Sequence, residues 1–470
     1  MKKMIALLLA IAAVLSLCAC GGGSGEAQPQ KAAGLQVGYA REKIMPEASV
    51  PMAGYTDSSS RMSTGYVDYL YATCIAFTEG EETVLMFSQD LFKTDENWTA
   101  EVRERIAAET GVPGDRVMIC STHNHAGPDI SSNHSSITGY KMVYMDALTA
   151  AAKAALADRA AATLYSAETQ TEKLNFPRHY ILSDGSYGGD NFGDFTKNSI
   201  TGYANDGDPE MLLVKVDREG EKKDILLMNW QAYACKFGTA NETNLSADFI
   251  APARDTIEAE TGMLFAYFNG AAGDIKPASK ITEDNGKENV KEYGNKLAGY
   301  AIAALETMKP VAGNGVKVAT VEFEYAVNHD DEDKLSQAKE VVQVWQNQSM
   351  EAAGVLAKEY GFRSAFHAQQ VTQRVTRPQS RTMELSAVYA GGIAFVAAPY
   401  EMFSATGLEI KEKSPFGVTM ICSCANEYQG NFATAEAYDY GSYESDINFY
   451  AKGCAEAAAE KFLEMLNTMQ

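Results

Sequence analysis

Short apolar runs and longer runs of helix-forming residues alternate along this chain, and polar clusters fall where the short runs stop. Residues 83–88 and 117–120 read as buried strands, as does 264–268, which ends in Asn269-Gly270. Residues 212–216 and 225–230 read as two strands paired across the polar turn 217–223. Residues 393–397 and 418–422 are of the same kind. Helical stretches lie at 101–110, 145–157, 251–261 and 288–308, with a long amphipathic helix at 331–360 and a closing one at 450–465. Strands alternating with helices predict an α/β fold. No internal linker or fixed-period repeat divides the chain, so the expectation is a single large domain over 35–470, with mixed β-sheets flanked by helices. Polar clusters directly after strands are where such folds place binding sites.

The first twenty residues follow a different rule. Met1-Lys2-Lys3 is followed by an apolar run over 4–17 and then by Leu17-Cys18-Ala19-Cys20. A charged start, a short apolar stretch and a small-residue cleavage site make a signal peptide over 1–19. The run is too short to cross a bilayer core of ~30 Å as a helix. A Cys directly after Leu-x-Ala is the diacylglycerol acceptor of bacterial lipoproteins, so Cys20 is the expected lipidation site, with a Gly/Ser/Gln-rich flexible tether over 20–34. The plainer alternative is an ordinary secretory signal with two incidental cysteines. Each buried methylene contributes roughly 0.8 kcal/mol, so two acyl chains hold a protein where one does not. The expected location is the extracytoplasmic face of the cell membrane, reached through a lipid anchor.

Charge narrows the partners. The net charge is -22, and loss of Lys2 and Lys3 with the signal makes the remainder more acidic. Such a surface disfavours nucleic acid. Cys74, Cys120, Cys235, Cys422, Cys424 and Cys454 are mostly far apart, which reads as small buried side chains and not as a disulfide framework.

The strongest local motif is Ser121-Thr-His-Asn-His-Ala-Gly-Pro-Asp129, directly after the strand at 117–120. Two His residues at i and i+2 past a buried strand present imidazoles to a cleft, and imidazole serves as metal ligand or as general acid and base. The alternative is a loop whose histidines make structural hydrogen bonds.

Thr-His-x-His-x-Gly-Pro resembles the signature of the neutral (non-lysosomal) ceramidases and their bacterial relatives. The resemblance continues in order along nearly the whole exported chain. It runs through Val37-Gly-Tyr-Ala-Arg41 with Ala53-Gly-Tyr55, Asn175-Phe-Pro-Arg178, Asn229-Trp-Gln-Ala232 with Ser246-Ala-Asp248, and Asn269-Gly-Ala-Ala-Gly-Asp-Ile-Lys-Pro277. It ends with Pro399-Tyr-Glu401 and with Asn426-Glu-Tyr428 through Tyr443-Glu444. Each motif is short, and their shared order carries the weight. The sequence ends soon after the last, so the expectation from the resemblance is a catalytic domain without the immunoglobulin-like tail of full-length ceramidases.

The resemblance implies a zinc ion held by the first His of the pair, a second His, a Glu and a Tyr, which activates water for attack on an amide carbonyl. His123 matches the first ligand and Glu401 the carboxylate. His125 matches the second His of the pair, which contacts substrate or moves a proton, and Arg178 the Arg that holds substrate or the oxyanion. Three positions depart from the family. The second zinc His falls at Tyr233, the ligand Tyr at Asn431, and the Ser of Gly-Asp-x-Ser-Pro at Lys276, which is expected to bind substrate. Cys235, two places on, is an alternative soft ligand. Phenol is a poorer zinc ligand than imidazole, and an amide carbonyl suits harder ions, so the implied zinc site is weakened or rebuilt.

The remaining histidines carry less. His134 reads as a solvated loop residue, His179 as a neighbour of the cleft, and His329 and His367 as surface residues. The aromatics Tyr428, Phe432, Tyr438, Tyr440 and Tyr443 read as core or cleft wall. Two functions stay open: a surface-anchored, metal-dependent amidohydrolase acting on an N-acyl amide of a sphingolipid-like substrate, or a non-catalytic lipid- or glycan-binding lipoprotein with a degraded zinc site. A third, narrower reading is a different hydrolase with an oxygen-rich metal site.

Overall fold

The computed structural model describes residues 34–55, 61–189, 192–239, 241–277 and 289–470. Cys20, the signal peptide and all of the tether but Gly34 lie outside the described residues. Among the described residues no helix is long and apolar enough to cross a membrane.

Two mixed sheets face each other. The larger runs β8-β7-β6-β5-β1-β2-β3-β4, where β1 is Gln36–Lys43, β2 Tyr71–Glu79, β3 Glu82–Gln89, β4 Val117–Ser121, β5 Ala160–Gln170, β6 Glu210–Arg218, β7 Ile225–Trp230 and β8 Leu264–Asn269. The two-residue strand Lys309–Pro310 pairs with β5. The smaller sheet runs β9-β10-β11-β12, with β9 Val316–Ala326, β10 Ser380–Ala390, β11 Ile393–Ala397 and β12 Val418–Cys422. Pairs β3/β4, β7/β8 and β11/β12 are parallel, and the other neighbours in both sheets are antiparallel.

Period-two alternation assigns each apolar side chain to a layer. On β3, Val84 and Met86 face the smaller sheet, whereas Leu85 and Phe87 face helices α1 (Glu96–Thr110) and α2 (Ser135–Ala157). On β11, Ile393 and Phe395 face the larger sheet, and Ala394 and Val396 face the opposite way, toward α8 (Ser404–Lys413) and α9 (Cys454–Thr468). Helices α3 (Ile250–Thr261) and α4 (Val290–Ala304) cover β5 to β8. The result is a four-layer sandwich of helix, sheet, sheet and helix. Phe395 closes the inter-sheet core with its ring 5.7 Å from Phe77 and 6.2 Å from Phe268.

Between β9 and β10 stands a helical insert, α5 (Leu335–Asn347), α6 (Met350–Glu359) and α7 (Ala365–Arg374), with a small core of its own. The long helix expected over 331–360 is therefore two. Its break falls where Ser349 leaves helical geometry and accepts a hydrogen bond from the Ala352 N–H. Serine stabilises a helix N-terminus better than a helix interior, so it starts a new helix here. His367 is a second correction: it is buried in this insert, not on the surface, with Nε2 3.2 Å from Asp331 Oδ2. The closing helix starts at Cys454, later than expected. The six described cysteines are free thiols, all buried but Cys235.

Polar side chains tie the two sheets together at one end. Asn229, at the end of β7, donates from Nδ2 to Phe268 O at 2.8 Å and Ile421 O at 2.7 Å, and its Oδ1 accepts from Ile421 N at 3.0 Å. Asn426 does the same for β4, accepting from Ile119 N at 3.0 Å while its own N–H donates to Ile119 O at 2.7 Å. Backbone groups on facing sheets lack ladder partners, and each buried group left unpaired costs about 1–3 kcal/mol. The N229A protein should therefore lose about 3–5 kcal/mol of stability, because it strands both Ile421 groups and Phe268 O. A denaturant titration showing a loss below about 1 kcal/mol would remove this amide from its structural role.

Candidate functional site

The cleft opens where the sheets are tied, past the C-terminal ends of β3, β4, β7, β8, β11 and β12. His123 and His125 leave β4, Tyr233 and Cys235 follow β7, Lys276 follows β8, Glu401 follows β11, and Tyr428 and Asn431 follow β12. Arg178 arrives from the loop after β5. All of these line one cavity of about 630 Å³, together with Tyr55, Phe92, Lys93 and Tyr443.

Local backbone geometry aims the imidazoles. His123 adopts a left-handed conformation, φ 56°, which turns the chain out of β4 within two residues. For a non-glycine residue this costs of order 1 kcal/mol and persists only when neighbours enforce it. The enforcing bonds run from Thr122 N to Gln89 O at 3.0 Å and from Asn124 N to Leu91 O at 3.1 Å. Gly54 leaves the space that the His125 ring fills: at φ 100°, a Cβ there would lie 2.5 Å from His125 Cγ.

Glu401 is the centre of the polar floor. It is 4 % exposed and accepts from the hydroxyls of Tyr233 and Tyr428. His123 Nε2 lies 3.5 Å from its Oε2. Asn431 is its backbone partner in a two-residue parallel bridge, and Asn431 Oδ1 is buried without a hydrogen-bond partner. The Tyr233 hydroxyl also has Gly273 O at 2.8 Å as a second acceptor. Burial raises the Glu401 carboxyl above its ordinary range, against the two phenol donors and Arg178, which lower it. Burial first, then the Glu401 charge, holds the Tyr233 and Tyr428 phenols well above theirs.

Both imidazoles are held neutral. Burial, with the charges of Arg178 and Lys93, pushes His123 down to about 3. Burial, with His123, Lys276, Arg178 and Arg61, pushes His125 well below its ordinary value. The rings pack among aromatics, His123 at 4.3 Å from Phe92 and 4.5 Å from Tyr233, and His125 at 5.4 Å from Tyr55. Cys424 Sγ sits 3.7 Å from His123 Nδ1. His125 is different in one respect: both of its ring nitrogens are buried with no hydrogen-bond partner.

Arg178 is set from behind. Its Nε lies 3.1 Å from Glu444 Oε1, Glu444 Oε2 meets His179 Nε2 at 2.7 Å, and His179 Nδ1 meets the Tyr440 hydroxyl at 2.7 Å. Burial works against ionisation of Glu444, but Arg178 and His179 outweigh it and bring its carboxyl down to about 2. His179 thus stands behind Arg178, wholly buried, and does not line the cavity. His134 lies apart and caps α2 by accepting from Ser136 N.

The donor set does not fit a tightly held zinc ion. The four positions that the motif resemblance points to line one cavity, where they offer one imidazole, one carboxylate, one phenol and one amide oxygen. Catalytic zinc usually takes three protein ligands from His, Glu, Asp or Cys. Among the described residues no three such side chains come together as a metal-binding group. Burial and the Glu401 charge hold the Tyr233 phenol well above its ordinary range, and the amide oxygen of Asn431 suits harder ions.

Every residue singled out at these motifs, His123, His125, Arg178, Tyr233, Lys276, Glu401 and Asn431, reaches the one cavity. Phe92 and Lys93 were not singled out, and Glu444, His179 and Tyr440 were named only separately, as part of a closing motif, a neighbour of the cleft and a core or wall aromatic. Phe92 and Lys93 follow β3 as His123 follows β4, so the strand-end rule points to them as well.

No protein-family model and no curated protein matches this sequence. Its structure is similar to that of neutral ceramidase from Pseudomonas aeruginosa, with a TM-score of 0.69, 17 % identity, and coverage of 92 % of this chain and 74 % of that one. It is equally similar to a ceramidase complexed with C2, with a TM-score of 0.69, 18 % identity, and coverage of 92 % and 75 %. The chain therefore has a neutral ceramidase-like fold.

His123 gives the site a pH signature. Its folded value of about 3 lies below the unfolded value of about 6.5, so the stability that its neutral form contributes is present above pH 6.5 and lost as pH falls toward 3. Between pH 7 and pH 5 the wild type should lose about 2 kcal/mol relative to H123Q. Parallel denaturation curves for the two proteins over that interval would contradict the burial of a neutral imidazole.

Proposed function

We propose that the cleft is the active site of an amidohydrolase acting on an N-acylated, sphingolipid-like amide. The observation that carries this reading is His125, a neutral imidazole with both nitrogens unpartnered, facing a cavity that also holds Arg178 and Lys276. A buried polar group with no partner costs free energy, and substrate or its attacking water supplies the missing bonds.

In this reading His125 accepts a proton from water as the water oxygen attacks the amide carbonyl, then returns it to the departing amine. Its low basicity at rest is corrected by the reaction, because negative charge growing on the carbonyl oxygen stabilises the imidazolium. Arg178, backed by Glu444, and Lys276 are the cations available to that oxygen. Glu401, Tyr233 and Tyr428 form a hydrogen-bonded floor that fixes His123. Zinc is expected to be held weakly here, by His123 and Glu401.

A second reading is a lipid-binding protein without turnover, and Tyr233 in place of an imidazole favours it. Hydrolysis of short-chain ceramide by the purified protein separates the two. H125A should lower turnover by about 10²–10⁴-fold. Y233H should retain it and bind zinc more tightly in a chelator competition. Stoichiometric zinc surviving dialysis of the wild type would show that a ligand has been misassigned, and ligand binding with no turnover would favour the second reading.

We further propose that the protein is lipid-anchored at the extracytoplasmic face of the membrane through Cys20. What supports this is the sequence of residues 1–20 alone. The C20A protein should leave the membrane fraction and lose the mass of its acyl groups. Unchanged partition and mass would rule the anchor out.

A further inference from the structure

A second cavity of about 490 Å³ adjoins the first and shares Lys93, Tyr428, Asn431 and Ile447 with it. Its lining includes Arg377, in the junction between α7 and β10, and Arg381, near the start of β10. Two buried arginines of this acidic chain meet carboxylates, Arg218 with Asp158 and Arg254 with Asp90, whereas the buried Arg61 donates, among the described residues, only to backbone carbonyls. Arg377 and Arg381 meet no carboxylate among the described residues, and neither does Lys93. Arg377 is half-buried, with its guanidinium 3.6 Å from the centre of the Phe449 ring. Burial and the charge of Arg381 both lower its affinity for a proton, and the two side chains line the same cavity.

The acids in this cavity have other duties. Asp95 caps α1 by accepting from Trp98 N, and Glu427 accepts from Glu384 N and from Gln429 Nε2. Glu96 is exposed. Asn448 Nδ2 and Asn431 Oδ1 are buried and unpartnered, so this pair of asparagines also lacks bonds that a ligand could complete.

We infer that the second cavity is a subsite for an anionic group on the amine portion of the substrate, held by Arg377 and Arg381 with Lys93 at the passage between the cavities. Guanidinium groups bind carboxylate, sulfonate and phosphate through paired charge-assisted hydrogen bonds, and two unpaired cations side by side are stabilised by such an anion. The reacting amide then lies beside His125, with the acyl chain on the aromatic side of the first cavity. This rests on the hydrolytic reading for the position of the amide, but not for the anion site itself.

The test uses the full chain in detergent and four probes with one acyl chain: N-lauroylethanolamine, which is neutral, N-lauroylglycine, N-lauroyltaurine and the phosphate ester of N-lauroylethanolamine. At least one anionic probe should bind about tenfold more tightly than the neutral one by calorimetry, and the order among the three names the anion. In R377Q/R381Q the ratio of the two Kd values should collapse toward one, while the thermal midpoint shows that the variant is folded. R381Q alone, at an exposed position, should reduce the ratio part of the way. Equal affinity for all four probes, or a preference that survives in the folded double variant, would overturn the subsite. Anion preference without hydrolysis of any probe supports the subsite and overturns the hydrolytic reading. Binding of none overturns both.

Discussion

Everything in this molecule depends on how two sheets with apolar inner faces end. Their inner faces need nothing but shape, but at the cleft end the strands stop and leave backbone groups without ladder partners. Asn229 and Asn426 satisfy those groups across the gap, and in doing so they fix the height of one sheet over the other. The loops that leave these strand ends are then held in register. This is why groups from 123, 233 and 428 meet around the carboxylate of Glu401 although about three hundred residues of chain separate the first and last. Side chains that act together on a substrate need this kind of fixed frame.

The strands were legible because they are buried on both faces and read as unbroken apolar runs; β4, β7, β8, β11 and β12 are each visible that way. The layer to which each side chain belongs was not, since a continuous run has no polar alternation to mark its two sides. The helix over 331–360 misled for a related reason. Its periodicity continues through Ser349, and only the local bond to Ala352 N reveals that one helix has ended and another begun. His367 looked exposed because its sequence neighbours are polar, yet they pack inward on the insert.

The site was legible where chemistry sits in a short motif, as with His123 and His125. It was illegible where partners come from different elements. Glu444 belongs to a recognisable closing segment, but its use, as the anion that joins Arg178 to His179, is a matter of three-dimensional placement. Tyr428 was read as a wall and is also a donor to Glu401. The ceramidase-like fold and the altered ligand positions are compatible. A frame that delivers four side chains to one point does so whatever those side chains are, so the fold can persist while the chemistry at the point changes.

The helical insert has a core separate from the sandwich and joins it through β9 and β10. Evolution can therefore treat it as a cassette. Away from the contacts of Phe366 with Tyr443 and of Arg363 with Asp446, its helices can lengthen, shorten or turn over their surface without disturbing the asparagine ties or the imidazoles, because no layer of the main core is built from them. The residues at its exit, 377 and 381, line the cavity that adjoins the cleft. Drift in one peripheral module can then diversify what a lineage recognises while the machinery inside is inherited intact.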